Sequence, residues 1–240
     1  MQIDLDDEAL RRQLEINCKR KKNLRCYIDL LLETKNADPF VLEIGAMDGI
    51  LFDDLHEYIS QYNMRGLMVE PLVDEYEKLV ENYSHTNNRL KFANVAVTEH
   101  SGTQMMVRIQ TKVDTPIQYR GMSSCFKDRN GLINLQDSCH TVRVDCLTLP
   151  ELLEIYSVKS IDILQIDTEG YDYHILKQLD FSKFSPELIL FETCCLPSEE
   201  LNATRTLLSN NSYHLIQNGP GDCIASLFLP PVNVDEFYKL

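Results

Sequence analysis

The chain of 240 residues is 44% hydrophobic and 25% charged, the make-up of a soluble globular protein, and is long enough for one α/β domain with a full core. Its formal net charge of −14 speaks against nucleic-acid and anionic-membrane partners, since both reward a basic face. No apolar run approaches the ~20 residues of a membrane span.

The acidic N-terminus MQIDLDDEALRRQ does not suit a signal peptide. Eight cysteines without C-x-x-C spacing, among them the adjacent Cys194 and Cys195, suit reduced thiols better than a zinc site or a disulfide framework. A soluble protein of the reducing cytoplasm is therefore expected, with the N-x-S/T sequons incidental.

Residues 4–36 predict a helical extension in two pieces. Asp4, Asp6, Asp7 and Glu8 suit a helix N-terminus. Lys19–Asn23 then interrupts, and Leu24, Tyr27, Ile28 and Leu31 resume an apolar face. The domain proper is expected over residues 37–240, starting with FVLEIGAMDG, Phe40 to Gly49. This reads as a buried strand, a small-residue turn and a helix carrying Leu51, Leu55, Tyr58, Ile59 and Tyr62, the unit with which a doubly wound sheet meets a nucleotide-like ligand. A dinucleotide turn needs G-x-G-x-x-G, yet Met47 stands at its middle glycine and obstructs a diphosphate. The remaining E-x-G-x-x-x-G suits a cationic, phosphate-free ligand such as S-adenosylmethionine.

RGLMVEP, Arg65 to Pro71, is a second strand ending in Glu70, about 20 residues after the turn, where such folds hold a ribose diol. A helix bearing Val73, Tyr76, Val80 and Tyr83 follows, then a third strand from Lys91 to Val97 and a fourth from Thr103 to Ile109. Residues 110–137 form a long polar connection that reads as a substrate or lid loop, with Ser123 and Ser124 as candidate acceptor contacts, or as a plain surface loop. His140–Cys146 alternates like a strand and Leu149–Tyr156 like a helix.

Ile161 to Gly170 is a buried strand ending in D-T-E-G ahead of a helix from Tyr171 to Leu179. With the chain extended to Glu169, Asp167 and Glu169 share one face. Glu187–Glu192 is a further buried strand ending in an acid. A helix over Leu201–Leu208, a closing antiparallel hairpin over residues 213–229 and a surface tail after Pro231 complete the chain.

VLEIGAMDG, GLMVEP, NVAV, DILQIDTEGYDYHIL and ELILFE, in this order and spacing from Phe40 to Glu192, resemble the FkbM family of S-adenosylmethionine-dependent methyltransferases. The resemblance implies a Rossmann-like class I methyltransferase fold: a seven-stranded, mostly parallel sheet with helices on both faces and the closing hairpin at its edge. It implies O-methylation of a hydroxyl, often on a sugar or glycan. It puts Glu43, Gly45 and Gly49 around the methionine portion of the cofactor, Glu70 on the ribose, and Asp167, Glu169 and Gly170 at the reaction end. Ala46, Asp48, Pro71, Ala96 and Val97 complete the expected cofactor set. Met47 stands where the family usually has asparagine.

For the chemistry, Asp167 is the candidate base and Glu169 the group orienting the acceptor hydroxyl. Metal-free catalysis is preferred, and Mg²⁺ held by Asp167, Glu169 and Glu192 is the alternative. The rivals are a non-catalytic, methyltransferase-like binding module and an enzyme acting on a non-sugar small molecule.

Overall fold

The computed structural model describes residues 8–34, 38–86, 88–110, 119, 122–126 and 139–229, with side chains throughout except at 8–11 and 13. In chain order its elements are α1 (Glu8–Thr34), β1 (Phe40–Ile44), α2 (His56–Tyr62), β2 (Arg65–Val69), α3 (Val73–Asn82), β3 (Leu90–Ala93), β4 (Ala96–Val97), β5 (Gly102–Ile109) and β6 (Ser123–Ser124). There follow β7 (Cys139–Leu147), α4 (Leu149–Ile155), β8 (Ile163–Ile166), α5 (Asp172–Leu176), β9 (Leu188–Glu192), α6 (Ser198–Asn210), β10 (His214–Gln217) and β11 (Asp222–Ser226).

The apolar runs become strands buried on both faces, as parallel sheets require. Successive residues point to opposite sides. Leu42, Ile44, Leu67, Val69, Leu164, Ile166, Ile189 and Phe191 therefore pack with Leu152 of α4, Ile175 of α5 and Leu208 of α6. Val41, Met68, Ile163, Leu188 and Leu190 pack against Tyr27 and Ile28 of α1, Ile59 of α2 and Leu79 of α3. The sheet order is β10-β11-β9-β8-β1-β2-β3, and β11 alone runs against the direction of the other six strands. Strand order reverses between β1 and β8, which opens a crevice beyond their carboxyl ends.

Several expectations need correction. The helix over the first segment does not break at Lys19–Asn23: α1 runs through it. Lysine and arginine are good helix formers, and their charges find partners. Arg20 bridges Asp54 and Asp222 at 3.0 and 2.9 Å, and Lys21 reaches Glu57. The acids at positions 4, 6 and 7 lie outside the described residues, as do most of 110–137 and the tail after Leu229.

The third strand is two: β3 belongs to the main sheet, whereas β4 joins a second sheet of order β4-β7-β5-β6. The expected face of α3 is buried only in part: Tyr83 is buried and Tyr76 half-buried. Val73 and Val80 are exposed, while Glu75 is buried beside Leu79 and paired with Lys78 at 2.9 Å. Nor does the first helix follow its turn directly. Residues 45–55 form a loop, and α2 begins only at His56.

Candidate active site

The crevice at the carboxyl ends of β1 and β8 holds a cavity of about 360 Å³, within the range of small-molecule sites. One wall is the turn after β1. The Gly45 and Ala46 N–H groups both donate to the Val69 carbonyl of β2, at 2.9 and 3.0 Å. Gly45 adopts φ +90°, and a Cβ there would meet the Asp167 carbonyl oxygen. The residue is glycine because two strand ends touch at that point.

Glu70 locks this wall. One of its carboxylate oxygens accepts from the Met47 N–H at 2.9 Å and the other from the Leu72 N–H at 2.7 Å. The carboxylate thus ties the β1 turn to the entry of α3. Asp53, in the loop before α2, also lines the cavity, accepting from the Leu55 N–H at 2.7 Å and the Tyr83 hydroxyl at 3.2 Å. Glu43 is 1% exposed; it accepts from the Gln165 amide at 3.1 Å, and its other oxygen is buried without a partner.

The opposite wall is the D-T-E-G turn. Here β8 ends at Ile166 and Glu169 is left-handed, φ 54°, so the extended geometry expected for Asp167 and Glu169 is absent. Both side chains nevertheless line the cavity, with Glu192 from the end of β9. Buried Asp172 holds the two strand ends together, accepting from the Thr168 hydroxyl at 2.9 Å and the Glu192 N–H at 3.0 Å.

Burial and mutual repulsion govern the electrostatics. Desolvation pushes Glu70 and Asp53 up to about 7, although each accepts a backbone hydrogen bond that opposes the shift. Burial first, then neighbouring carboxylates, raises Glu43 and Asp167 well above the usual range. Glu169 rises to about 7 and Asp172 to about 6, again mainly through burial, and Glu192 is raised by burial and by Asp167 and Glu169. Among the described residues, six carboxyl groups line the cavity and no lysine, arginine or histidine does.

Of the residues singled out from sequence, Glu43, Gly45, Ala46, Glu70, Pro71, Ala96, Val97, Ser123, Asp167, Glu169 and Glu192 line this cavity. Asp48, Gly49, Ser124 and Gly170 do not. Asp48 caps its own turn by accepting from the Ile50 and Leu51 N–H groups. Gly49 leaves room for Tyr83 and Leu79. The Ser124 hydroxyl donates to the Glu169 carbonyl at 2.9 Å, which makes it a brace for the turn.

Among the described residues, the groups whose ligand atoms converge within 4.8 Å are Glu192, Cys194 and Cys195, not Asp167, Glu169 and Glu192. Sequence reasoning missed Asp53, Phe52, Met106, Met122 and Gln165, all of which line the cavity. Asp53 had one available signal, an acid in the loop after a glycine turn.

The strand order, the antiparallel β11 and the cavity at the switch point define a Rossmann-like fold of the class I methyltransferase type. The chain belongs to the methyltransferase FkbM domain family, whose model matches residues 43–215. A solved FkbM methyltransferase from Methylobacillus flagellatus KT is similar, with 14% identity and a TM-score of 0.51 over 79% of this chain and 44% of that one. The present chain therefore spans less than half of that structure. A precorrin-6y C5,15-methyltransferase from Geobacter metallireducens GS-15 aligns at 9% identity and TM-score 0.40, covering 79% of this chain and 81% of that one. Aeropyrum pernix fibrillarin with bound S-adenosyl-L-methionine aligns at 10% identity and TM-score 0.43, covering 79% and 67%. No curated protein matches the sequence.

Proposed function

We propose that the chain is an S-adenosylmethionine-dependent O-methyltransferase of the cytoplasm whose acceptor is a hydroxyl on a sugar, glycan or related small molecule. The observation that carries this reading is the charge of the cavity: six carboxyl groups, no basic side chain among the described residues, and a buried Glu43 oxygen without a partner. A ligand with an ammonium and a sulfonium fits such a lining, whereas a pyrophosphate would meet repulsion.

In this reading Glu43 takes the ligand's amino group, supported by its buried oxygen without a partner. Glu70 keeps free lone pairs for a ribose diol after accepting two N–H bonds, because each carboxylate oxygen has two. The apolar wall of Val95, Ala96, Val97, Met106 and Met122 offers an adenine its packing surface. When bound, the cofactor supplies an electrophilic methyl group, so the protein has to orient the acceptor and take its proton. Asp167 is the proposed proton acceptor, and burial together with the neighbouring carboxylates raises its pKa, which makes it a stronger base than an exposed aspartate. Glu169 orients the hydroxyl. Metal-free catalysis is the preferred form of this reading.

Calorimetry of the purified chain against S-adenosylmethionine, its demethylated product and NAD tests the reading, followed by a methyl-transfer screen over sugars. Binding of the first two and not of NAD is expected. Equal or tighter NAD binding would overturn the assignment.

A further inference from the structure

We infer that Glu192, Cys194 and Cys195 form a binding site for one thiophilic divalent cation, Zn²⁺, at the wall of the cavity. The inference goes beyond methyl transfer and does not depend on it. The spacing of the cysteines along the chain argued against zinc, and only the backbone turn after β9 brings the groups together.

Cys194 and Cys195 are adjacent, and their sulfurs lie 3.4 Å apart. The Cys194 thiol donates to a Glu192 oxygen at 3.1 Å, and all three ligand atoms lie within 4.8 Å of one another. Tetrahedral zinc with Zn–S about 2.3 Å and Zn–O about 2.1 Å separates two sulfurs by ~3.8 Å and a sulfur from an oxygen by ~3.6 Å. The observed contacts need open by only about half an ångström or less to admit the ion at those bond lengths.

Two further observations point to a ligand. The second Glu192 oxygen is buried without a hydrogen-bond partner. Glu169 adjoins the cluster, one of its oxygens accepting from the Cys195 thiol at 3.6 Å. Among the described residues the cavity wall carries acids with no cationic side chain to balance them. The donor set chooses the metal: two thiols with a carboxylate suit Zn²⁺, whereas Mg²⁺ takes hard oxygen ligands. Binding releases one proton from each thiol as the two Zn–S bonds form.

The test is a Co²⁺ titration of the full chain, stripped with EDTA, held under a non-thiol reductant and free of S-adenosylmethionine. We expect one Co²⁺ per chain with a sulfur-to-cobalt charge-transfer band that Zn²⁺ abolishes and excess Mg²⁺ does not. Cys194→Ser, Cys195→Ser and Glu192→Gln should each weaken binding at least roughly tenfold, and Cys18→Ser should leave it unchanged. Should Cys195→Ser fail to fold, Cys194→Ser decides, because Cys194 is exposed. Absence of a sulfur band, or a band that survives Cys194→Ser, would overturn the inference. Because no cofactor is present, either result leaves the methyltransferase reading to its own calorimetry.

Discussion

A Cβ added to Gly45 would lie 1.8 Å from the carbonyl oxygen of Asp167, so the turn after β1 and the turn after β8 stand in direct backbone contact. The proposed cofactor wall and the proposed reacting wall are thereby one rigid unit, with no side chain between them.

Gly45→Ala should be strongly destabilising, by about 3 kcal/mol or more, because it combines a backbone collision with a left-handed φ. Urea denaturation reads the loss. A shift of the unfolding midpoint no larger than that of an average surface substitution would disprove the contact.

Glu70→Ala should cost about 1–3 kcal/mol of stability, since the Met47 and Leu72 N–H groups lose their acceptor. A strand-end acid seen in sequence alone looks dispensable to the fold; its two backbone bonds make it a structural tie as well as a proposed ribose ligand. The variant should therefore lose both unfolding free energy and S-adenosylmethionine affinity. Loss of affinity with unchanged stability would separate the two roles.

The pH dependence has a definite sign. Glu70 rises from 4.5 to about 7 on folding, and Asp53 from 3.8 to about 7, chiefly through burial. A raised carboxyl contributes its stability fully below the unfolded value and loses it as pH passes through the folded one. The ligand-free protein should melt lower at a pH of about 8 than at about 5.5. A cationic cofactor needs the ionised carboxylates, so its affinity should rise over the same window. Scanning calorimetry with and without S-adenosylmethionine checks both, and a flat affinity between those values would remove these acids from the site.

Asp167→Asn keeps the shape of the side chain but cannot accept the proton. Turnover of an identified acceptor should fall by about 10²–10⁴ while cofactor binding survives. If EDTA abolishes wild-type turnover and Mg²⁺ restores it, the preferred metal-free form of the mechanism gives way to its alternative. Wild-type turnover in Asp167→Asn would dismiss the residue from both roles.

Much of this framework was legible in the sequence, because strands buried on both faces announce themselves locally. Phe40–Ile44, Arg65–Val69, Ile163–Ile166 and Leu188–Glu192 are short β-branched and leucine runs bounded by glycine, proline or acids. Less legible was α3, whose expected apolar face carried Val73 and Val80. Arg108 from β5 pairs with Asp74 at 2.7 Å on that helix, a partner that local periodicity does not contain. The packing role of Gly49 was hidden for the same reason, since it answers to Tyr83 and Leu79.

The sequence by itself determined the strands and the acids at their carboxyl ends, Glu70, Asp167 and Glu192, because hydrophobic runs and their terminating residues are properties of neighbours along the chain. Only the tertiary structure decided which of these acids meet. β1 and β8 pair across a strand order that reverses between them, Asp53 enters from a loop, and a turn after β9 swings Cys194 and Cys195 toward Glu192 and Glu169. Convergence of groups far apart in the chain depends on sheet order and on left-handed turns such as that at Glu169, and neither leaves a mark in local periodicity.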